Sequence, residues 1–369
     1  MSSTIPKVAV IGSGISGAVC ASSLARNGIL VTVFDWGRGP GGRMSQRRET
    51  TEDGKELFFD HGAPYFTVTN PDVLAMVFEW ESRGLVAEWE ERFGTFDFAS
   101  KTFISYEKEL ASRKYVGITG MNSVCKALCN EIGVHCKFGI GIAKMEWVDE
   151  KSWSLSSSKG QFLGNFDGVV VTDKILASPG FFYLTEHPPP LDMNVAPQLL
   201  SRMQEIPFRS CFALMMAFNE PLNSVPVKGI SFINSEVLSS AFCDSSKPGR
   251  SSASQCWVLH STAEYAKTVI AQSDSGLKKP SDLTLRRVSE ELLGEFQRTG
   301  LCTSHPFFLK AHRWGSAFPA VSIAQGDNCL WDSRKLVVCG DFCVSPNVEG
   351  AIVSGLAASS KLLEMFSSK

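Results

Sequence analysis

Apolar residues recur along this chain in three rhythms, and each predicts a different kind of element. Continuous β-branched runs at 8–11, 29–34, 166–172 and 336–339 read as buried strands. A run with no polar face suits a parallel strand covered on both sides. Alternation of aromatic and polar residues over 85–106 predicts a small antiparallel sheet, and 134–156 predicts two or three strands in which Trp147, Trp153 and Leu155 point one way. Further strands are expected at 210–218, 230–233, 256–260 and 307–314. Helical spacing appears in a small-residue stretch from Ile15 to Arg26 that stops at Asn27-Gly28, in 71–83 (Val73, Leu74, Val77, Trp80), in 122–132, in 197–204, in 284–298 (Leu285, Val288, Leu292, Leu293, Phe296) and in 350–366. Breakers crowd 178–190, and the Ser/Pro/Gly-rich 243–254 reads as an exposed loop.

Strand and helix signals alternate at both ends of the chain, whereas the middle is dominated by antiparallel patterns. The expected fold class is therefore α/β plus α+β: a Rossmann-like nucleotide-binding unit built from the two ends, with a mixed, mainly antiparallel insert. At 369 residues the chain exceeds the usual size of one domain, and its 44% hydrophobic content suits a large core.

Composition mainly excludes. A net charge of −2 offers no electrostatic case for nucleic acid or an anionic membrane. No apolar run is long enough to span a bilayer, and the polar opening MSSTIPK is unlike a signal peptide. Eleven cysteines without a C-x-x-C pair or zinc-ligand spacing read as reduced, mostly buried thiols, and no metal site is expected. These features point to a cytoplasmic protein acting on a small molecule; they leave the oligomeric state open.

The chemistry concentrates at the first βαβ unit. Gly12, Gly14 and Gly17 form G-x-G-x-x-G between two strand signals, and Asp35 closes the second strand. Gly12 permits a sharp turn, Gly14 leaves room for a pyrophosphate, and Gly17 lets helix and strand approach. The N–H groups at Ile15 and Ser16 open the helix with its positive dipole end. Asp35 suits an adenosine ribose hydroxyl. The stretch GRGPGGRM follows, with Gly41, Gly42 and Arg43; the guanidinium can take a phosphate bidentately. Near the C-terminus a strand runs into Gly340-Asp341, and a helix opens at Gly350-Ala351 about eight residues later. This brings a carboxylate and a second helix N-terminus to the ligand-binding edge of the sheet. In FDHGAPYF, Gly62 and Ala63 allow close approach to a flat ring, with His61 and Tyr65 as side chains able to face a ligand. In HRWGSAFP, Arg313 and Trp314 are placed to flank a ring or an anionic substrate. A second G-x-G-x-x-G opening a helix is missing, which argues against a separate NADPH domain.

These five blocks, in this order, resemble the renalase-like branch of the FAD-dependent amine oxidase superfamily. The resemblance implies noncovalent FAD in a composite, glutathione-reductase-type domain (1–84, 115–180 and 326–369) and a substrate domain from 85–114 and 181–325. Carried over residue by residue, Gly12, Gly14, Ile15, Ser16, Gly17, Asp35, Gly41, Gly42, Arg43, Gly340, Asp341, Glu349, Gly350 and Ala351 would touch FAD, and Gly62 and Ala63 would line the flavin. Better-characterised members of that branch oxidise isomers of dihydro-NAD(P), with oxygen as acceptor. Two departures stand out: Asp35 where many members carry Glu, and TDKILASPG after the 166–172 strand where a run nearer to A-x-P-A is expected. The implied activity is hydride transfer from a small reduced substrate to flavin, with amine oxidation and non-catalytic flavin binding as the alternatives.

Overall fold

The computed structural model describes residues 5–106, 113–204, 206–251, 253–273, 279–323 and 326–367. Parts of the expected substrate domain, 107–112 and 274–278 among them, lie outside the described residues. Five strands lie parallel in one sheet, in the spatial order Leu336–Val338, Gly168–Val171, Lys7–Ile11, Leu30–Asp35, Val134–Phe138; Leu330–Asp332 adds an antiparallel edge. Both faces are covered, which explains the unbroken apolar runs. Val8, Val10, Val31, Val33, Val170 and Val337 pack under helices Ile15–Arg26 and Val348–Ser367. Ala9, Ile11, Val169, Val171 and Val338 face a three-stranded sheet carrying Trp153 and Leu155, together with helix Pro197–Gln204.

A seven-stranded, mainly antiparallel sheet forms the second layer system, and its longest members are Phe208–Phe218 and Phe308–Pro319. One face buries Phe212, Leu214 and Met216 against helices Ala263–Gln272 and Asp282–Arg298. The other presents Ala213, Met215 and Ala217 to Leu57 and Phe59 of the hairpin Arg47–Thr50/Glu56–Phe59. That hairpin leads directly into residues 60–63.

Several expectations are corrected. The 85–106 stretch does not form its own sheet. Val86–Glu88 pairs with Tyr115–Gly117, while Phe93–Asp97 and Thr102–Tyr106 form the edge of the seven-stranded sheet, the former parallel to Gly229–Ile233. A lone hairpin could not bury Phe93 and Phe96, and joining the larger sheet does so. The helix expected over 122–132 ends at Cys129 because the following residues turn toward the next strand through Gly133 at φ 89°. The loop at 243–254 is not exposed throughout: Cys243, Asp244, Lys247 and Ser254 are buried. Lys247 pairs with Asp244 and with Asp60, and Arg250 pairs with Asp60. The breaker-rich 178–190 contains the short helix Gly180–Thr185. Helix Ala263–Gln272 and strand Leu238–Cys243 were not expected.

Candidate functional site

The strand ends at Ile11, Asp35, Val171 and Val338 lie along one edge of the parallel sheet, so the segments that follow converge there. Helix Ile15–Arg26 starts from Gly14 with no side chain among the described residues capping it, and its first N–H groups suit a phosphate-type acceptor. A Cβ built on Gly14 would find nothing nearer than the Gly42 Cα at 3.9 Å, whereas one on Gly17 would lie 2.1 Å from the Gly12 carbonyl oxygen. Gly17 is thus needed for packing, and Gly14 leaves a cradle. Gly41 bridges to Gly14, and the Gly41 N–H donates to the Ser13 carbonyl at 2.9 Å, so the second glycine loop forms the cradle's far wall.

Asp35 sits at the lip of this cradle. One carboxylate oxygen accepts from the Ser13 N–H at 2.7 Å and from the Ser13 hydroxyl at 2.5 Å; the other accepts from the Gly37 N–H at 2.6 Å. These bonds fix the carboxylate and still leave lone-pair directions for a ribose hydroxyl.

Arg43 reaches across the site to the other end of the chain. Its two terminal nitrogens each donate to one oxygen of Asp341 at 2.6 Å, and one also donates to the Ala317 carbonyl at 3.1 Å. The bidentate pair holds guanidinium and carboxylate together at the ligand-binding edge of the sheet, with Asp341 taking up the Arg43 fork. Asp173 belongs to the same edge. Burial, with Asp35 and Asp341 adding, raises its carboxyl above the usual range.

Residues 60–63 form the opposite wall. A Cβ on Gly62 would lie 2.0 Å from the Arg43 carbonyl oxygen, and the Ala63 N–H donates to that oxygen at 2.9 Å. The His61 carbonyl accepts from Trp314 Nε1 at 3.0 Å and from His260 Nε2 at 3.1 Å. The rings of His61, His312 and Trp314 form a triangle with centroids 4.8 to 5.0 Å apart. Burial, with His312 and Arg47 adding, holds the His61 imidazole down to about 3; burial and Arg47 hold His312 down to about 4. Both rings are neutral at physiological pH, and His61 Nδ1 is buried with no hydrogen-bond partner among the described residues.

The structure separates some residues that the sequence places together. Neighbouring residues on a strand point to opposite faces. Trp314 therefore shares the face of His312, next to Gly62, while Arg313, paired with Phe212, points toward the helical layer. The two cannot flank one ring. Tyr65 packs against Phe93 and Phe242, with ring centroids 5.6 and 5.7 Å away. Glu349 accepts from the N–H groups of Thr69 and Asn70, both at 2.6 Å, so in this structure it fixes the loop before helix Pro71–Ser82. Gly350 N–H donates to Asn347 Oδ1 at 2.7 Å and Ala351 N–H to the Asn347 carbonyl at 3.1 Å. Gly340 N–H is held by Ser354 Oγ at 3.0 Å.

Sequence reasoning missed Ser13, Asp173, His260 and His312. Ser13 lies inside the glycine motif, and Asp173 follows a central strand at the ligand edge, so both carried a positional signal. His312 stands two residues before Trp314 and shares its face. His260 had no local signal, because only the sheet register brings it to His61.

The cradle at Gly14, the helix start behind it and the fixed carboxylate of Asp35 fit an FAD-type dinucleotide. Comparison with known proteins points the same way. Residues 10–80 match an NAD(P)-binding Rossmann-like domain, and residues 78–363 match the flavin containing amine oxidoreductase family. Among solved structures, a putrescine oxidase with putrescine bound is 12% identical with a TM-score of 0.64, over 98% of this chain and 99% of its own. An oxidoreductase from Methanosarcina mazei is 12% identical with a TM-score of 0.66, over 95% of this chain and 99% of its own. At such identity the likeness speaks for the fold. A 4,4'-diapophytoene desaturase (4,4'-diaponeurosporene-forming) of Staphylococcus haemolyticus (strain JCSC1435) is 42% identical over 72 residues, 20% of this chain; the match spans only 13% of the desaturase's length. With the family match running through more than three quarters of its length, the chain belongs to the flavin containing amine oxidoreductase family, whose members are FAD-dependent oxidoreductases.

Proposed function

We propose that this protein is an FAD-dependent oxidoreductase that takes a hydride from a small reduced substrate, a dihydro-NAD(P) isomer, in the manner of the renalase-like branch, with oxygen or another acceptor completing turnover. The reading rests on one observation above all: Gly14, Asp35, Arg43 and Asp341 converge on one sheet edge, and Gly62-Ala63 closes over the Arg43 carbonyl. FAD would be held noncovalently in a composite, glutathione-reductase-type domain. Gly14, Ile15 and Ser16 would hold the pyrophosphate, Asp35 the adenosine ribose, Arg43 and Asp341 the phosphate and ribityl side, and Gly62 and Ala63 would underlie the ring. When bound, the flavin supplies the hydride acceptor, and the protein supplies position, exclusion of water and electrostatics.

Choice of substrate follows from proton bookkeeping. A dihydropyridine needs no base to give up a hydride. An amine must first lose the proton of its ammonium form, and the imidazoles beside Gly62, held to about 3 and about 4, are poorly matched to that task. The second reading, a flavin amine oxidase, is favoured by the family match and by the likeness to putrescine oxidase. A non-catalytic flavin-binding redox sensor is the reading of another class. Anaerobic stopped-flow mixing of the yellow protein with dihydro-NAD(P) isomers and with amines separates the three. Bleaching by dihydropyridines alone is expected; bleaching by amines alone selects the second reading, and bleaching by neither selects the third. A protein that purifies colourless and takes up no flavin sinks all of them.

A further inference from the structure

Directly before His61 lies a buried group of four charges that the hydride-transfer reading does not use. Asp60 is 1% exposed. One of its oxygens accepts from the Met121 N–H at 3.0 Å, and the other accepts from Lys247 Nζ at 3.0 Å and Arg250 Nη2 at 2.5 Å. Asp244 pairs with Lys247 and accepts from the Asp60 N–H at 3.0 Å. Arg250 also donates to the Gly117 carbonyl at 3.1 Å. The side chains of all four are at most 4% exposed. The formal charges cancel, although burial raises the Asp244 carboxyl above its usual range in spite of Lys247 and Arg250. Three separate elements meet here: the end of the hairpin strand Glu56–Phe59, the 117–121 turn, and the loop that follows Leu238–Cys243 of the seven-stranded sheet. The next residue along, His61, is gripped at its carbonyl, and Gly62-Ala63 abuts Arg43.

We infer that Asp60, with Lys247 and Arg250, is a positioning residue that sets the height of the Gly62-Ala63 wall against the flavin ring by fastening that segment to the substrate sheet. The inference rests on the proposed cofactor reading. Hydrophobic packing of the hairpin on Ala213 and Met215 would hold the segment near its place without the ions. Asp60 adds polar tethers to that packing: its carboxylate is held by the Met121 N–H, Lys247 and Arg250, and its N–H by Asp244. Burial pushes the Asp60 carboxyl up, and the two cations outweigh it, so the carboxylate stays ionised well below neutral pH.

Asp60→Asn keeps the acceptor for Met121 and removes the charge, leaving an uncompensated buried cation. The double substitution Asp60→Asn/Lys247→Met restores neutrality and covers the case in which the single variant does not fold. The readouts are flavin content, visible circular dichroism of the bound flavin at 350–500 nm (roughly the flavin absorption range), and the rate of reoxidation in air after dithionite reduction. The expected result is a double variant that folds and binds flavin, with altered flavin dichroism and reoxidation changed at least about fivefold. Unchanged dichroism and reoxidation in a flavin-loaded variant overturn the inference and leave the cofactor reading standing. Wild-type protein without flavin overturns the cofactor reading itself.

Discussion

Replacing Gly14 by alanine separates cofactor chemistry from folding. At this position φ is −63°, an ordinary value for any residue, and the nearest atom to the new methyl is 3.9 Å away. The folded chain therefore has room for it, and the loss of backbone freedom in the unfolded chain favours the variant by about 0.4–1 kcal/mol. The ligand side behaves differently. The methyl occupies the space in which a pyrophosphate oxygen must approach the helix N–H groups. Losing two charge-assisted hydrogen bonds at about 1.5–3 kcal/mol each costs about 3–6 kcal/mol, or roughly 100-fold to 10,000-fold in affinity. Flavin-free protein prepared from wild type and variant should therefore melt within a few degrees of each other. FAD titration followed by flavin fluorescence should show the variant's binding weakened at least about 100-fold. Gly17→Ala is the contrast: its methyl meets the Gly12 carbonyl oxygen at 2.1 Å, so melting and binding should both suffer. Equal FAD affinity in wild type and Gly14→Ala would refute the placement of the pyrophosphate. A large loss of apoprotein stability would refute the packing argument.

Other expectations concern the opposite wall and the ribose. Gly62→Ala forces its methyl to 2.0 Å from the Arg43 carbonyl oxygen and breaks the Ala63 bond, so it should cost about 1–3 kcal/mol, read as a lower melting temperature with reduced flavin content. Asp35→Ala should weaken FAD retention by about 10-fold to 100-fold with the fold intact, measured by flavin content after dialysis; unchanged retention would mean Asp35 does not hold the ribose. For His61 and His312 the folded values, about 3 and about 4, lie below the unfolded value near 6.5. The unfolded chain then binds the extra protons, so stability is full above about pH 6.5 and falls as pH drops toward 4. At pH 5 the loss is about 2 kcal/mol per ring, and a His61→Gln/His312→Gln variant should melt with a visibly flatter pH dependence. Trp314→Phe should alter flavin reoxidation far more than Arg313→Ala, since only Trp314 shares a face with Gly62; the reverse order would refute the strand-face assignment.

The parallel sheet and its two helices were legible in the sequence because buried parallel strands write continuous apolar runs, and the glycine motif fixes the turn between them. Asp35, Arg43 and Asp341 were legible for a related reason: each follows a readable strand at its ligand-facing end. The antiparallel layer was less so. Where Phe93 and Phe96 go depends on a parallel pairing with residues 136 positions later, and local alternation carries no trace of it. The 243–254 loop misled because Ser, Pro, Lys and Arg look solvated until Asp60 supplies the counter-charge. Arg313 and Trp314 were coupled by adjacency in the sequence, whereas a strand sends adjacent side chains apart.

The Arg43–Asp341 pair joins residues 298 positions apart, and the strand Leu336–Val338 completes the parallel sheet beside Gly168–Val171. During synthesis at about 5–20 residues per second, roughly 15–60 s pass between the emergence of the two partners. Throughout that interval the glycine motif is already made while Asp341, the partner of Arg43, does not exist, and once Gly168–Val171 has emerged it presents an open edge. On the proposed placement of the cofactor, its site is complete only late on the ribosome or after release. A nascent chain cut short before Leu336 would carry a recognisable nucleotide motif without the carboxylate that pairs with Arg43.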